Sequence, residues 1–377
     1  MKKTKMAQLS EFGQSVWLDY ISRSLIASGM LRQMIDVGLR GMTSNPTIFD
    51  KSISSSDDYD EAIQKLRAEG KSTFEAYDDI TVKDIQDAAE AFLPVYEKTG
   101  HLDGYVSLEV NPKLAYSAEE TIKEGKKLHR KVDRPNLMLK VASTKEGFKA
   151  IEELTASGIN VNATLIFSLE QYINTASAYI NGIKSYISKG GDASRVRSVA
   201  SVFVSRIDTT VDKVLDEMIS GRQDHHTIAK LMSLKGTAAV ANCQIIYGKF
   251  RELFSSGEFK QLQEKGANLQ RVLWGSTGTK NPVYSDIKYV TELIGKDTVN
   301  TIPESTLQAF LDHGAVEEAL TEDTSGARDI IESLNKFGID VDEICAQLLK
   351  DGVIAFEKSF NSLLNAIEKK SEKLYVR

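Results

Sequence analysis

The chain has 377 residues, of which 41% are hydrophobic and 27% are charged, as is typical of a globular protein with a sizeable core. Its net charge of −6 gives no overall positive field, which argues against nucleic acid as a partner. The sequence has no apolar run long enough to predict a membrane span, and its start lacks the apolar segment of a signal peptide. With only two cysteines, Cys243 and Cys345, no disulfide framework is expected, and a cytoplasmic location is predicted.

The sequence also lacks the common motifs of metal and nucleotide sites. Neither HExxH nor CxxC occurs, and His225 and His226 are adjacent rather than spaced along one helix face. No glycine-rich phosphate motif follows a strand-like run. These patterns give no support for a metal or a dinucleotide site.

Short apolar runs recur along the chain, and each is followed by a helical pattern. The predicted strands are 16–19, 41–45, 105–109, 137–140, 161–167, 199–204, 271–275 and 298–301. Strands that alternate with helices form parallel sheets, and this number of strands predicts an α/β fold of the (β/α)8 TIM-barrel type. A doubly wound open sheet is the alternative, but its glycine-rich phosphate turn is missing.

A minimal barrel needs about 250 residues, so the chain must carry additional helices. We expect helical insertions near 50–100 and 208–258 and a helical C-terminal extension near 325–377. Ser117 with Glu120, and Ser168 with Gln171, have the spacing of a capping box at a helix start. No linker-like segment separates these regions, so residues 1–377 are predicted to form a single elaborated barrel domain.

Polar side chains stand at the ends of successive predicted strands. They are Asp19, Asn45, Glu109, Lys140, Asn162, Thr164, Ser201 and Arg206. One such residue alone usually marks the start of a solvated loop. In a barrel, however, the carboxyl ends of all strands open at the same mouth, so we expect these groups to converge.

Lys140 lies near the end of a run, 136–142, that otherwise reads as buried strand. Taken alone, it could simply be the first strand residue to reach solvent. Burial favours a neutral amine, which can form a Schiff base with a carbonyl, whereas neighbouring acids favour the ammonium form. Together with acids that can move protons, Lys140 is a candidate nucleophile.

The loop after the seventh strand, 275–280, contains hydroxyls, glycines and one cation. Barrels often bind phosphate at this place, and Thr277 and Lys280 are the candidate contacts. An ordinary glycine-rich turn is the alternative. Arg206 could add a bidentate contact to phosphate, which a lysine cannot make.

These motifs, in their order, resemble the transaldolase family, in particular its longer bacterial branch, from about residue 12 to the C-terminus. The matching segments are 16–19, 41–49, 106–110, 136–144, 158–168 and 201–206. The resemblance implies a barrel enzyme of the pentose phosphate pathway that needs no cofactor. Its reaction would transfer a dihydroxyacetone unit from sedoheptulose 7-phosphate or fructose 6-phosphate to glyceraldehyde 3-phosphate or erythrose 4-phosphate.

The resemblance also implies roles for individual residues. Lys140 would be the Schiff-base nucleophile, Asp19 the general base and acid at the breaking bond, and Glu109 the group that moves protons during dehydration, with Thr164 and a held water. The implied substrate-binding residues are Asn45, Asn162, Ser201 and Arg206. The shorter branch has Ser-Phe-Arg in the seventh-strand loop, so the second phosphate arginine is absent here, and Lys280, beside Thr277, is the candidate replacement.

Three other interpretations remain open from the sequence. A class I aldolase would use the same lysine chemistry but release a free ketone, whereas a non-catalytic barrel would only bind sugar phosphates. The additional helices could alternatively serve as an interaction scaffold. The expected partners are sugar-phosphate substrates, with no nucleic acid and no membrane, and a homo-oligomer is left open.

Overall fold

Each of the eight predicted strands forms in the computed structural model, which describes residues 3–375. The strands are β1 (Gln14–Leu18), β2 (Gly41–Thr43), β3 (Tyr105–Glu109), β4 (Leu137–Ala142), β5 (Val161–Ile166), β6 (Ser198–Phe203), β7 (Gln270–Gly275) and β8 (Thr298–Ile302). Neighbouring strands pair in parallel, and β1 pairs with β8 to close the barrel. The predicted (β/α)8 TIM barrel is therefore confirmed.

The inside of the barrel is filled by side chains, so it is a packed core and not a pore. The strand side chains Trp17, Tyr105, Met138, Val199, Leu273 and Val299 form one cluster, which Tyr96 of α6 joins. The Trp17 ring lies directly on Gly41, where a Cβ atom would approach it to 2.6 Å. At the amino-terminal end of the barrel, Arg271 and Asp103 form a buried ion pair at 3.0 Å. The amino-terminal end of the barrel is thus held by a buried ion pair, and the predicted site residues stand at the opposite end.

Helices surround the barrel and extend beyond it. Up to β6 they are α1 (Lys5–Phe12), α2 (Arg23–Ala27), α3 (Met30–Asp36), α4 (Pro46–Ser54), α5 (Asp60–Ala68), α6 (Thr73–Lys98), α7 (Ala118–Val132), α8 (Lys145–Thr155) and α9 (Leu169–Ser188). After β6 they are α10 (Ser205–Ile219), α11 (His225–Leu234), α12 (Ala238–Phe254), α13 (Gly257–Gln263), α14 (Lys288–Thr291), α15 (Glu304–His313), α16 (Ser325–Lys336) and α17 (Val341–Tyr375). Short 3₁₀ turns lie at Pro112–Leu114 and Ala193–Arg195.

The two predicted capping boxes have different outcomes. Ser168 and Gln171 make both reciprocal bonds at the start of α9. At the start of α7 the prediction is wrong, because Ser117 makes no side-chain capping bond. Glu119 and Glu120 are exposed there, so water can satisfy the free amides of the first turn.

The C-terminal helix α17 lies against the carboxyl-terminal side of the barrel, where it packs on α4, α5, α6 and α10. Gly352 allows a close approach, since a Cβ atom there would lie 2.9 Å from the side chain of Leu165 on β5. One turn further along α17, Phe356 packs edge-on against Phe203 of β6. The helix therefore forms part of the wall around the barrel mouth. Within residues 3–375, no helix is long and apolar enough to cross a membrane.

Candidate active site

A cavity of about 290 Å³ opens at the carboxyl-terminal mouth of the barrel. Most of the predicted site residues line it, namely Asp19, Asn45, Lys140, Thr164, Ser201, Arg206 and Lys280. They come from five strand ends, from the first turn of α10 and from the loop after β7, so only the closed barrel brings them together. This arrangement follows from the parallel topology, in which every strand delivers its last residues to the same end.

Lys140 is the most deeply placed cation of the cavity, with only 4% of its surface exposed. It is directly opposite Glu109 on β3 and Asn162 on β5 in the strand register. The Nζ atom lies 3.7 Å from Glu109 Oε2 and donates a hydrogen bond of 3.2 Å to the carbonyl oxygen of Ser44. The lysine is thus held by one acid and one carbonyl, with its tip in the cavity.

Glu109 is buried beside this amine, and the burial raises the pKa of its carboxyl to about 7, against the lowering effect of the Lys140 charge. A carboxyl with such a pKa can give and take protons near neutral pH. Its Oε2 atom and the hydroxyl of Thr164 have no hydrogen-bond partner among residues 3–375. Thr164 lines the cavity, whereas Glu109 does not and lies behind Lys140, so its contact with a substrate or a water stays a prediction.

The chain is strained where β5 carries Thr164. The pairing of β5 with β6 shifts register between Ala163 and Ile166, and Leu165 has a φ of 60°. A left-handed conformation is costly for a leucine and is seen mainly where the surroundings enforce it. Such a bulge re-aims neighbouring side chains, and here it lies next to a residue that lines the cavity.

Asp19 occupies the end of β1, on the rim of the same cavity. Thr43 donates a hydrogen bond of 2.9 Å to Asp19 Oδ1, and its hydroxyl also lies 2.8 Å from that of Thr301. Burial raises the pKa of Asp19, whereas the charges of Lys140 and Lys280 and the Thr43 bond act to lower it. Compared with Glu109, this carboxyl has more contacts that favour its ionised form.

Asn162 and Ser201 form a buried polar pair next to Lys140. The Ser201 hydroxyl donates to Asn162 Oδ1 at 2.6 Å, and Asn162 Nδ2 donates to Ser107 Oγ at 3.0 Å. Asn162 is fully buried and does not line the cavity, so its contact with a substrate stays a prediction. Asn45 lines the cavity and caps α4 by accepting from the Ile48 amide at 2.9 Å, which fixes its position.

Arg206 and Lys280 face the outer part of the cavity. The Arg206 guanidinium lies 5.4 Å from the centroid of the Phe203 ring, within cation–π range. Partial burial lowers the pKa of Arg206. Among the described residues, neither cation has a carboxylate within 4 Å of its nitrogen atoms. Two unneutralised cations at one mouth favour binding of an anion.

Thr277 is not brought to the cavity with the other predicted residues. It is fully buried, and its hydroxyl donates to the carbonyl oxygen of Thr301 at 3.0 Å. Ser276, which has a φ of 55°, lines the cavity instead. A contact between Thr277 and phosphate therefore stays a prediction.

The structure adds residues that the sequence did not single out. Lys51 of α4 and Phe356 of α17 both line the cavity. Lys51 follows the cap residue Asn45 by less than two turns of α4. This short spacing from a predicted site residue is a sequence signal that could have identified Lys51. Nothing local in the sequence connects Phe356 with residues of the barrel, since it lies in the C-terminal extension.

Comparison with known proteins agrees with this architecture. Residues 16–367 match the family model described as transaldolase/fructose-6-phosphate aldolase. The chain is 43% identical over 377 residues to a transaldolase of Trichodesmium erythraeum, with 99% of each chain covered. It is also 44% identical over 366 residues to a transaldolase of Saccharopolyspora erythraea, with 97% of each chain covered. The chain therefore belongs to the transaldolase/fructose-6-phosphate aldolase family.

Proposed function

We propose that the chain is a transaldolase, which transfers a dihydroxyacetone unit between sugar phosphates. The donor would be sedoheptulose 7-phosphate or fructose 6-phosphate, and the acceptor glyceraldehyde 3-phosphate or erythrose 4-phosphate. The single observation that carries this proposal is the buried amine of Lys140, 3.7 Å from Glu109, in a cavity that Asp19 also lines. The full-length relatives that are named transaldolase support the same activity.

The first half of the reaction forms the Schiff base. The neutral Lys140 amine attacks the donor carbonyl carbon, and the carbonyl oxygen takes up a proton to give a carbinolamine. Glu109 then donates a proton to the departing hydroxyl, which leaves as water while the iminium forms. Its pKa of about 7 suits a group that must lose and regain a proton at neutral pH. The free hydroxyl of Thr164 would orient the water that is exchanged.

The second half breaks and remakes a carbon–carbon bond. Asp19 takes the proton of the donor C4 hydroxyl, the electrons of the C3–C4 bond move into the iminium, and an aldehyde leaves. The resulting enamine attacks the carbonyl carbon of the acceptor aldehyde, whose oxygen receives the proton from Asp19. Hydrolysis of the new iminium reverses the first half and frees Lys140. Burial raises the pKa of Asp19, and the neighbouring lysine charges and the Thr43 bond oppose that rise, which favours an ionised carboxylate before cleavage.

Substrate contacts would be divided between the floor and the rim of the cavity. Asn45, Asn162 and Ser201 would bind the hydroxyls of the three-carbon unit and hold it until an acceptor arrives. Arg206 and Lys280 would bind the phosphate at the rim, where a guanidinium can form two parallel bonds to phosphate oxygens.

Borohydride trapping tests this proposal. Incubation with fructose 6-phosphate and borohydride should leave one reduced adduct, on the peptide that contains Lys140. An intact protein that forms no adduct would favour a barrel that merely binds sugar phosphates.

Fructose-6-phosphate aldolase is a second candidate, because the matched family model covers that activity as well. The two activities differ in their need for an acceptor. A transaldolase consumes fructose 6-phosphate rapidly only when an acceptor such as erythrose 4-phosphate is present. Equal consumption without an acceptor, with release of free dihydroxyacetone, would establish the aldolase instead.

A further inference from the structure

We propose that Tyr284 and Asp212 form a latch that positions Lys280 opposite Arg206, so that both cations can contact one phosphate group. The latch consists of these two side chains and the slot around them. This inference rests on the proposed function, since it assumes a phosphorylated substrate at the mouth. Tyr284 and Asp212 are positioning residues, and neither one lines the mouth cavity.

The latch joins the two segments that carry the cations. Arg206 lies in the first turn of α10, and Asp212 lies further along the same helix. Lys280 and Tyr284 lie in the loop between β7 and α14, four residues apart. The Thr279 hydroxyl donates to the carbonyl oxygen of Ser285 at 2.8 Å, which closes this part of the loop on itself. Holding Tyr284 on α10 therefore also holds Lys280 relative to Arg206.

The slot for Tyr284 is built by a third segment, the turn before α12. The Tyr284 hydroxyl donates to Asp212 Oδ2 at 2.6 Å, while Asp212 Oδ1 accepts from the Gly236 amide at 2.8 Å. Gly236 has a φ of 70°, and a Cβ atom there would lie 2.7 Å from Tyr284 Cζ. The position thus requires glycine both for its backbone conformation and for the tyrosine ring that lies on it.

At its start the loop is also joined to α10, because the Ser205 amide donates to the carbonyl oxygen of Ser276 at 3.2 Å. Beyond that point a hollow of about 500 Å³ lies between α10 and the part of the loop that carries Lys280 and Tyr284. Lys280 lines both this hollow and the mouth cavity, while Asp216 and Glu217 line the far side of the hollow. Lys235 neutralises Asp216 at 2.6 Å, whereas no cation lies within 4 Å of Glu217 among the described residues. A loosened loop would let Lys280 turn toward this carboxylate and away from the mouth.

A second tyrosine–aspartate pair on α10 offers a matched control. Tyr289 donates to Asp208 Oδ2 at 2.8 Å, and Asp208 Oδ1 accepts from the Ala239 amide at 2.8 Å. The hydrogen-bonding groups are the same as those of the latch. Tyr289, however, lies in α14, outside the part of the loop that the Thr279 hydrogen bond closes. Removing its hydroxyl should cost stability without moving Lys280.

The test compares Tyr284→Phe with Tyr289→Phe in the full chain. For Tyr284→Phe, we expect the KM for fructose 6-phosphate and the inhibition constant of inorganic phosphate to rise about five- to tenfold, the effect of losing one hydrogen bond between Lys280 and phosphate. The kcat should stay within about twofold, because Lys140 and the acids are untouched. Borohydride trapping of dihydroxyacetone, which has no phosphate, should be unchanged. Tyr289→Phe should leave all of these values near those of the parent chain.

A second variant reaches the same latch without removing the hydroxyl. Gly236→Ala should displace the Tyr284 ring from its slot and reproduce the weaker phosphate binding. The latch is refuted if both folded variants, checked by thermal unfolding, bind inorganic phosphate as tightly as the parent chain. It is also refuted if trapping of dihydroxyacetone falls in parallel with phosphate affinity, which indicates a general structural role. Failure of the proposed function is distinct, because the parent chain itself would then form no adduct with fructose 6-phosphate.

Discussion

Substitution of Glu109 by glutamine should separate the role of this carboxyl in catalysis from its effect on the free energy of unfolding. The pKa of Glu109 is raised from 4.5 to about 7 by burial, so the folded state binds the proton more tightly than the unfolded state. The resulting stabilisation is complete below about pH 4.5 and is lost as the pH rises to about 7. Above that pH the folded chain contains an ionised, buried carboxylate.

The size of the effect follows from the same pKa. Moving a carboxyl pKa from 4.5 to about 7 corresponds to about 3 kcal/mol of unfolding free energy. Glutamine stays neutral at every pH and keeps nearly the same shape. We therefore expect Glu109→Gln to exceed the parent chain in unfolding free energy by up to about 3 kcal/mol at pH 8.5, and to match it near pH 5. Its kcat should fall about 100-fold or more, since proton transfer during dehydration is lost.

Urea unfolding between pH 5 and pH 9 measures the stability difference, and Glu124→Gln is the matched control. Burial also raises the pKa of Glu124 to about 7, but this residue lies on α7, where it accepts a hydrogen bond from the Asn111 amide and forms no ion pair with Lys140. The control should gain stability at high pH while keeping its activity. Parallel stability curves for Glu109→Gln and the parent chain would refute the assignment of a raised pKa to Glu109.

Three further substitutions test individual roles. Lys140→Arg should abolish turnover and borohydride trapping while circular dichroism shows a retained fold, because arginine keeps the charge but is no nucleophile; any adduct at another lysine would contradict this. Asp19→Ala should still form a borohydride-trapped adduct with fructose 6-phosphate. Release of glyceraldehyde 3-phosphate, measured in a coupled assay, should slow about 100-fold or more. Equal loss of trapping and of release would contradict a role of Asp19 in cleavage. Arg206→Ala should raise the KM for fructose 6-phosphate about tenfold or more without weakening the trapping of dihydroxyacetone. An unchanged KM would show that the phosphate does not bind to Arg206.

The sequence predicted the barrel well, because strand identity depends on local patterns. Each strand is a short apolar run with polar residues at its carboxyl end, and this pattern is readable without tertiary information. The predicted ends of the strands were less accurate where the last residue belongs instead to the helix that follows. Asn45 was placed in the second strand, but it forms the N-terminal cap of α4, and β2 already ends at Thr43. That Glu109 and Lys140 would meet followed from the order of β3 and β4 in the barrel.

Other parts of the site depend on side-chain direction and on distant segments. Thr277 and Ser276 are neighbours in a loop with similar side chains, and the left-handed backbone of Ser276 decides which one faces the cavity. A local pattern cannot reveal such a turn for a serine. Phe356 reaches the mouth because α17 packs against four helices of the barrel layer. That docking depends on shape complementarity across the whole fold. The prediction that residues 1–377 form one domain stays open to a test of cooperative unfolding.

Asp19 and Glu109 share one lysine but differ in their other contacts, and this difference suggests their tasks. Burial raises the pKa of Asp19, but the charge of Lys140, the hydrogen bond from Thr43 and the charge of Lys280 oppose that rise and so favour the ionised form that a base needs. Burial raises the pKa of Glu109 to about 7, and Lys140 alone acts to lower it, so this carboxyl retains a proton up to about pH 7. We therefore propose that Glu109 acts as the acid and Asp19 as the base around one amine. Dehydration requires the first group and carbon–carbon cleavage the second, so the barrel can support both half-reactions without rearranging its strands.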